Sequence, residues 1–122
     1  MAVFDRKEDY LYVRWAAAVK KRDHYVCQLC GARGALNSHH LNGWNTFPDE
    51  RYDVDNGITL CLFHHDDFHN KYGRGGNTKE QFDEYHRICD ILTRTANRKI
   101  DVERASAAIL QKLKDGYASD DS

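Results

Sequence analysis

Cys27-Gln28-Leu29-Cys30, Ser38-His39-His40-Leu41 and Asn56-Gly57-Ile58-Thr59-Leu60-Cys61-Leu62-Phe63-His64-His65 crowd into residues 27–65. Asn56-Gly57 is a strong turn signal. Ile58 to Cys61 comes next with the period-2 character of a strand, and Leu36 to Leu41 reads as a second short strand. A helix is predicted from near Leu62–His64 to about Tyr72, ended by Gly73-Arg74-Gly75-Gly76-Asn77. Asn42 to Asp55, with Gly43 and the single proline, Pro48, is a loop.

The cysteines decide what staples these pieces. Zinc takes four ligands at tetrahedral corners, and a C-x-x-C pair supplies two of them from one turn. Cys27 and Cys30 make the first pair, in a knuckle over Asp23–Gly34 where Gly31 and Gly34 are free to adopt positive φ. Cys61 and His64, a C-x-x-H pair, make the second. Four cysteines in an intracellular chain favour metal over disulfides, though bridges among them are the alternative. Cys89 is expected as a buried structural thiol, with a place as fourth zinc ligand as the other option.

A second constellation comprises His39, His40, Asn56 and His65. Neighbouring helical side chains diverge by ~100°, so His64 and His65 can face two different metals. His69 lies one turn after His65 on the same face, placed to join the second metal or its substrate. On a regular strand His39 and His40 point to opposite faces. For both to serve one phosphate the strand must end or bulge there, and Gly43 is near enough to help.

The order Cys27-x-x-Cys30, His39-His40, Asn56, Cys61-x-x-His64-His65 resembles the HNH endonuclease family, whose core is a ββα-metal finger. The run His65 to Gly73, then Asn77-Thr78-Lys79-Glu80-Gln81-Phe82, is similar to the small bacteriophage members. The likeness covers roughly residues 22–85. It implies that His40 is the general base, that His39 and His65 hold one catalytic divalent metal, and that Asn56 braces the loop orienting His40. It implies a purely structural zinc on Cys27, Cys30, Cys61 and His64, where the family usually has a second C-x-x-C. The activity implied is metal-dependent hydrolysis of DNA phosphodiesters with little sequence choice, in phage genome packaging beside terminase and portal proteins. A non-catalytic zinc-knuckle DNA-binding module, or a restriction or homing-type HNH enzyme, are the competing readings. Imidazole ligands suit Mn²⁺, Co²⁺ or Ni²⁺ better than Mg²⁺.

The remainder of the chain is helical in pattern. Leu11, Trp15 and Val19 recur at i+4 spacing within Glu8 to about Lys21. Thr78 with Gln81 makes a capping box for a helix whose apolar face is Phe82, Tyr85, Ile88, Cys89 and Leu92. A last helix is predicted from about Asp101 to Asp115, with Val102, Ala105, Ile109 and Leu113 as its stripe and Gly116 as its stop. Trp15 and Trp44 are expected in the core. The fold class is therefore α+β, mainly helical: a small zinc-stapled antiparallel hairpin and helix, flanked by terminal helices. One domain over residues 1–116 and a frayed acidic tail over 117–122 are expected.

Composition sets the limits. At 122 residues with 41% hydrophobic and 30% charged residues, a soluble cytoplasmic monomer is expected, and no apolar run is long enough for a bilayer. The net charge of −1 is not that of a DNA-coating protein. DNA contact must then come from local patches: Lys20-Lys21-Arg22, Arg74, or Arg94 with Arg98 and Lys99.

Overall fold

The computed structural model describes residues 6–120, which divide into two compact units between His86 and Arg87. The first contains helix α1 (Tyr10–Arg22), strands β1 (Leu36–His40) and β2 (Gly57–Cys61), helix α2 (Leu62–Tyr72) and the start of helix α3 (Lys79–Asp120). Short 3₁₀ turns at Arg6–Glu8, Pro48–Glu50 and Val54–Asn56 connect them. The α+β, mainly helical architecture and the antiparallel hairpin are as expected. Among the described residues no helix is long and apolar enough to cross a membrane.

Asp9 caps α1, accepting from the Leu11 and Tyr12 amides at 2.9 and 3.4 Å. The helix buries Trp15 and Val19 against the hairpin, and the contact is close. A Cβ on Gly57 would stand 2.5 Å from Val19 Cγ2 and 2.7 Å from Trp15 Cζ2, which is why this strand begins with glycine. The Trp15 indole donates to the Asp53 carbonyl (2.7 Å), and the Ser38 hydroxyl to the Ala16 carbonyl (2.7 Å).

Asp23 ties the end of α1 to β2. Its carboxylate accepts from the Thr59 amide at 2.9 Å and from both Arg22 Nε and a terminal Arg22 nitrogen at 2.9 Å. Burial pushes this carboxyl up, but the Arg22 guanidinium and the Thr59 amide outweigh it and hold its pKa below the ordinary value. Asp23→Asn is expected to lower unfolding free energy by about 1–3 kcal/mol at neutral pH. Because the folded pKa is depressed, the carboxylate's contribution is complete above the ordinary carboxylate pKa. It is lost as pH falls through the folded value. Urea titrations across pH check this; a wild-type advantage that stays constant into acid would contradict it.

The capping box of α3 forms as the sequence predicts: the Gln81 amide donates to Thr78 Oγ1, and the Thr78 amide to Gln81 Oε1, each at 3.2 Å. Further along, α3 departs from the sequence reading. It has no break before Asp101, Gly116 stops nothing, and one helix runs to Asp120. Thr93 to Ile100 interrupts the apolar periodicity but contains no glycine or proline, and a single helical glycine costs only about 1 kcal/mol. Residues 117–120, expected to fray, are helical, and residues 121 and 122 lie outside the described part. Phe82 and Tyr85 are core, whereas Ile88, Leu92, Val102, Ile109 and Leu113 are exposed. Cys89 is half-buried, not buried.

Candidate metal centres and the cleft beside them

Cys27, Cys30, Cys61 and His64 converge, with all four ligand atoms within 4.8 Å of one another. Cys27 and Cys30 come from a tight turn in which the Gly31 amide bonds the Cys27 carbonyl (2.8 Å) and Gly31 takes φ +75°. Gly34 does not take a positive φ; His24, Tyr25 and Ala35 do, at +57°, +58° and +52°. Cys61 ends β2 and caps α2, its sulfur 3.5 Å from the His64 amide. The Cys30–Cys61 sulfurs stand 3.8 Å apart, and His64 Nδ1 lies 3.3 Å from Cys61 Sγ and 3.7 Å from Cys27 Sγ. Two thiolates on one tetrahedral ion at ~2.3 Å stand about 3.8 Å apart, so the set fits a metal ion such as zinc. Burial and the neighbouring sulfurs of Cys27 and Cys61 push the Cys30 thiol up to about 11. Burial also depresses His64, leaving its imidazole neutral and able to ligate.

The second group is His39, His65 and His69, again with ligand atoms within 4.8 Å. His65 and His69 stand one turn apart on α2, their Nε2 atoms separated by 3.2 Å. His69 Nδ1 donates to the Gly73 carbonyl (2.9 Å), which leaves the Nε2 lone pair facing the group. His39, 2% exposed, packs edge-on to Phe68, and its Nε2 has no hydrogen-bond partner. Burial, then the charges of His65, His69 and His40, push His39 down to about 3. With an orphaned, buried nitrogen beside two others, the group could hold a cation that binds imidazole.

His40 does not join this group. β1 ends at His40 but does not bulge, and its register is regular through the pair, so the two rings point to opposite faces. His40 stacks on Trp15 with centroids 3.7 Å apart and planes 9° from parallel. Its Nε2 lies 2.9 Å from the Arg51 carbonyl. A carbonyl only accepts, so Nε2 carries the proton and Nδ1 is the free acceptor. Burial lowers the pKa of His40 although the Arg51 carbonyl works the other way.

Asn56 lies behind this arrangement. Its Oδ1 accepts from the Asn42 amide (2.8 Å), and its Nδ2 donates to the Asn42 and Glu50 carbonyls (2.9 and 3.1 Å). It thereby pins the loop that carries the Arg51 carbonyl. Both faces of β1 reach one cleft of about 240 Å³, lined by His39, His40, His65 and His69 with Arg6, Trp44, Arg74 and Asn77. Trp44 is buried as expected, and Arg6 and Arg51 stand over its ring at 4.9 and 4.8 Å.

Sequence reasoning missed the Arg51 carbonyl, the Trp15 stack and Arg6. The i, i+4 spacing of His65 and His69 did signal His69. Of the basic patches, Arg22 is paired with Asp23 and Arg94 with Asp90 (3.1 Å), while Arg74, 3.8 Å from Asp66 at an exposed ion pair, adjoins the cleft. No family model, curated protein or solved structure matches this chain.

Proposed function

We propose that the chain is a metal-dependent endonuclease of HNH type that hydrolyses DNA phosphodiesters, with a structural zinc on Cys27, Cys30, Cys61 and His64. The observation that carries the reading is the three-imidazole group His39, His65 and His69 opening into the same cleft as an imidazole with a free Nδ1. A binding module has no use for that combination.

His39, His65 and His69 would hold one divalent ion. The chemistry such an ion supplies when bound is charge neutralisation on the phosphoryl oxygens and help to the leaving 3′-oxygen. His40 Nδ1 takes a proton from water; the water oxygen bonds to phosphorus as the bond to the 3′-oxygen breaks. The Arg51 carbonyl fixes the His40 tautomer, and Asn56 holds that carbonyl in place as a positioning residue. Arg74 and Arg6 put positive charge on the walls, where a phosphate backbone would run. The likeness to phage nucleases supports a role beside terminase and portal proteins.

Supercoiled plasmid should be nicked by the purified protein with added divalent metal and left intact with EDTA. Three imidazole ligands favour Mn²⁺, Co²⁺ or Ni²⁺ at least as strongly as Mg²⁺. His65→Ala and His69→Ala should each raise the metal concentration needed for half-maximal nicking by about 10–100-fold. Activity with Mg²⁺ alone, or cleavage that survives EDTA, would sink the site assignment.

A further inference from the structure

From Asp90 to Asp115 every residue of α3 is exposed. Ile91, Leu92, Val102, Ile109, Leu110 and Leu113 are between 55% and 61% exposed. At ~100° per residue these six and Ile88 fall within an arc of about 100°. The opposite face is charged, with Arg94 bonded to Asp90 at 3.1 Å. A helix in water draws most of its stability from packing such an apolar face, and among the described residues of this unit nothing covers it.

We propose that this face binds the same face of a second copy of the chain, as a parallel two-stranded coiled coil over residues 88–113. This surface is independent of the nuclease reading and departs from the monomer expected from the sequence. The spacing that selects it is a heptad. Ile88, Thr95, Val102 and Ile109 take d positions; Leu92, Lys99, Ser106 and Leu113 take a positions. Apolar layers close both ends of the seam. Thr95, Lys99 and Ser106 are polar between them, and Lys99, the charged one at an a position, costs stability and sets register and strand number.

Charge selects the parallel orientation. Arg98 falls at g and Glu103 at e of the next heptad, so each Arg98 meets the second copy's Glu103, twice per dimer. Ile91 at g meets Ala96 at e, and Ala105 at g meets Leu110 at e, which adds apolar flank on both sides. In the antiparallel arrangement that keeps the same layers, Arg98 faces Ala105 and Glu103 faces Ala96, and no charged pair forms.

Sedimentation of the full-length, metal-loaded protein should show a dimer at micromolar concentration. Leu92→Glu with Ile109→Glu should give a monomer that retains its bound metal, because both side chains lie outside the metal-bearing unit. Arg98→Glu should weaken dimerisation by about tenfold, the sum of two exposed ion pairs. Combining it with Glu103→Arg should restore the wild-type constant. A wild type still monomeric at about 100 μM, or a dimer unmoved by the paired glutamates, would overturn the proposal. An Arg98→Glu protein that dimerises like wild type would overturn the parallel pairing.

Discussion

Cys61→Ala is expected to abolish metal retention at the thiolate site and to unfold the unit up to His86 at room temperature. Cys61 ends β2, caps α2 and shares His64 Nδ1 with Cys27, so one sulfur joins strand, helix and knuckle. Structural zinc contributes about 10–16 kcal/mol of apparent binding energy in small zinc domains. A domain of this size has only about 5–15 kcal/mol of net stability. The first unit otherwise rests on a two-stranded sheet, which is marginal alone, and on a short list of core residues such as Trp15, Val19, Leu60 and Phe68. Circular dichroism with zinc titrated against a strong chelator measures the effect. A urea midpoint that barely moves on chelation, or in the alanine protein, would show that the four ligands are not a structural metal site.

The second large effect is chemical. His40→Gln should cut plasmid nicking by about 10²–10⁴-fold at saturating metal, the range for loss of a positioned general base. Glutamine keeps an N–H for the Arg51 carbonyl and much of the volume stacked on Trp15, so the fold should survive. It has no group able to take a proton at the position of Nδ1. Metal content and the urea midpoint should stay near wild type, and the substrate concentration for half-maximal rate should change little, because only the transition state loses a partner. Nicking within about threefold of wild type would remove His40 from the chemistry. A protein that loses its metal as well would mark His40 as a structural residue.

Much of the fold and site is legible from residue types at fixed spacings. The Cys27–Cys30 and Cys61–His64 pairs and the Thr78–Gln81 box are local patterns, and local chemistry decides them. Asn56-Gly57 reads as a turn, yet Gly57 is the extended first residue of β2, a glycine because Val19 and Trp15 close over it. The faces of His39 and His40 are legible as a conflict, and the regular strand resolves it by giving them different neighbours around one cleft. The Arg51 carbonyl is not legible, because any residue type supplies a carbonyl and only the course of the loop brings this one to His40. The length of α3 is hidden because its apolar stripe fades over Thr93 to Ile100, and fading periodicity is not a backbone stop. Its exposed apolar residues carry the same pattern as a core face, because a sequence records which face is apolar, not what covers it.

Alternation along β1 has one more outcome. His40 pairs with Gly57 and His39 with Ile58, and α1 and α2 receive the two rings on opposite sides. Slipping the strand by one position would put either Ser38 in the place of His39, emptying the three-nitrogen set of its strand member, or Leu41 in the place of His40 on Trp15. On the proposed reading a mispaired chain would thus be chemically silent. For a protein whose proposed activity endangers the DNA of the cell that makes it, the hairpin acts as its own quality control, arming the molecule only when folding is correct.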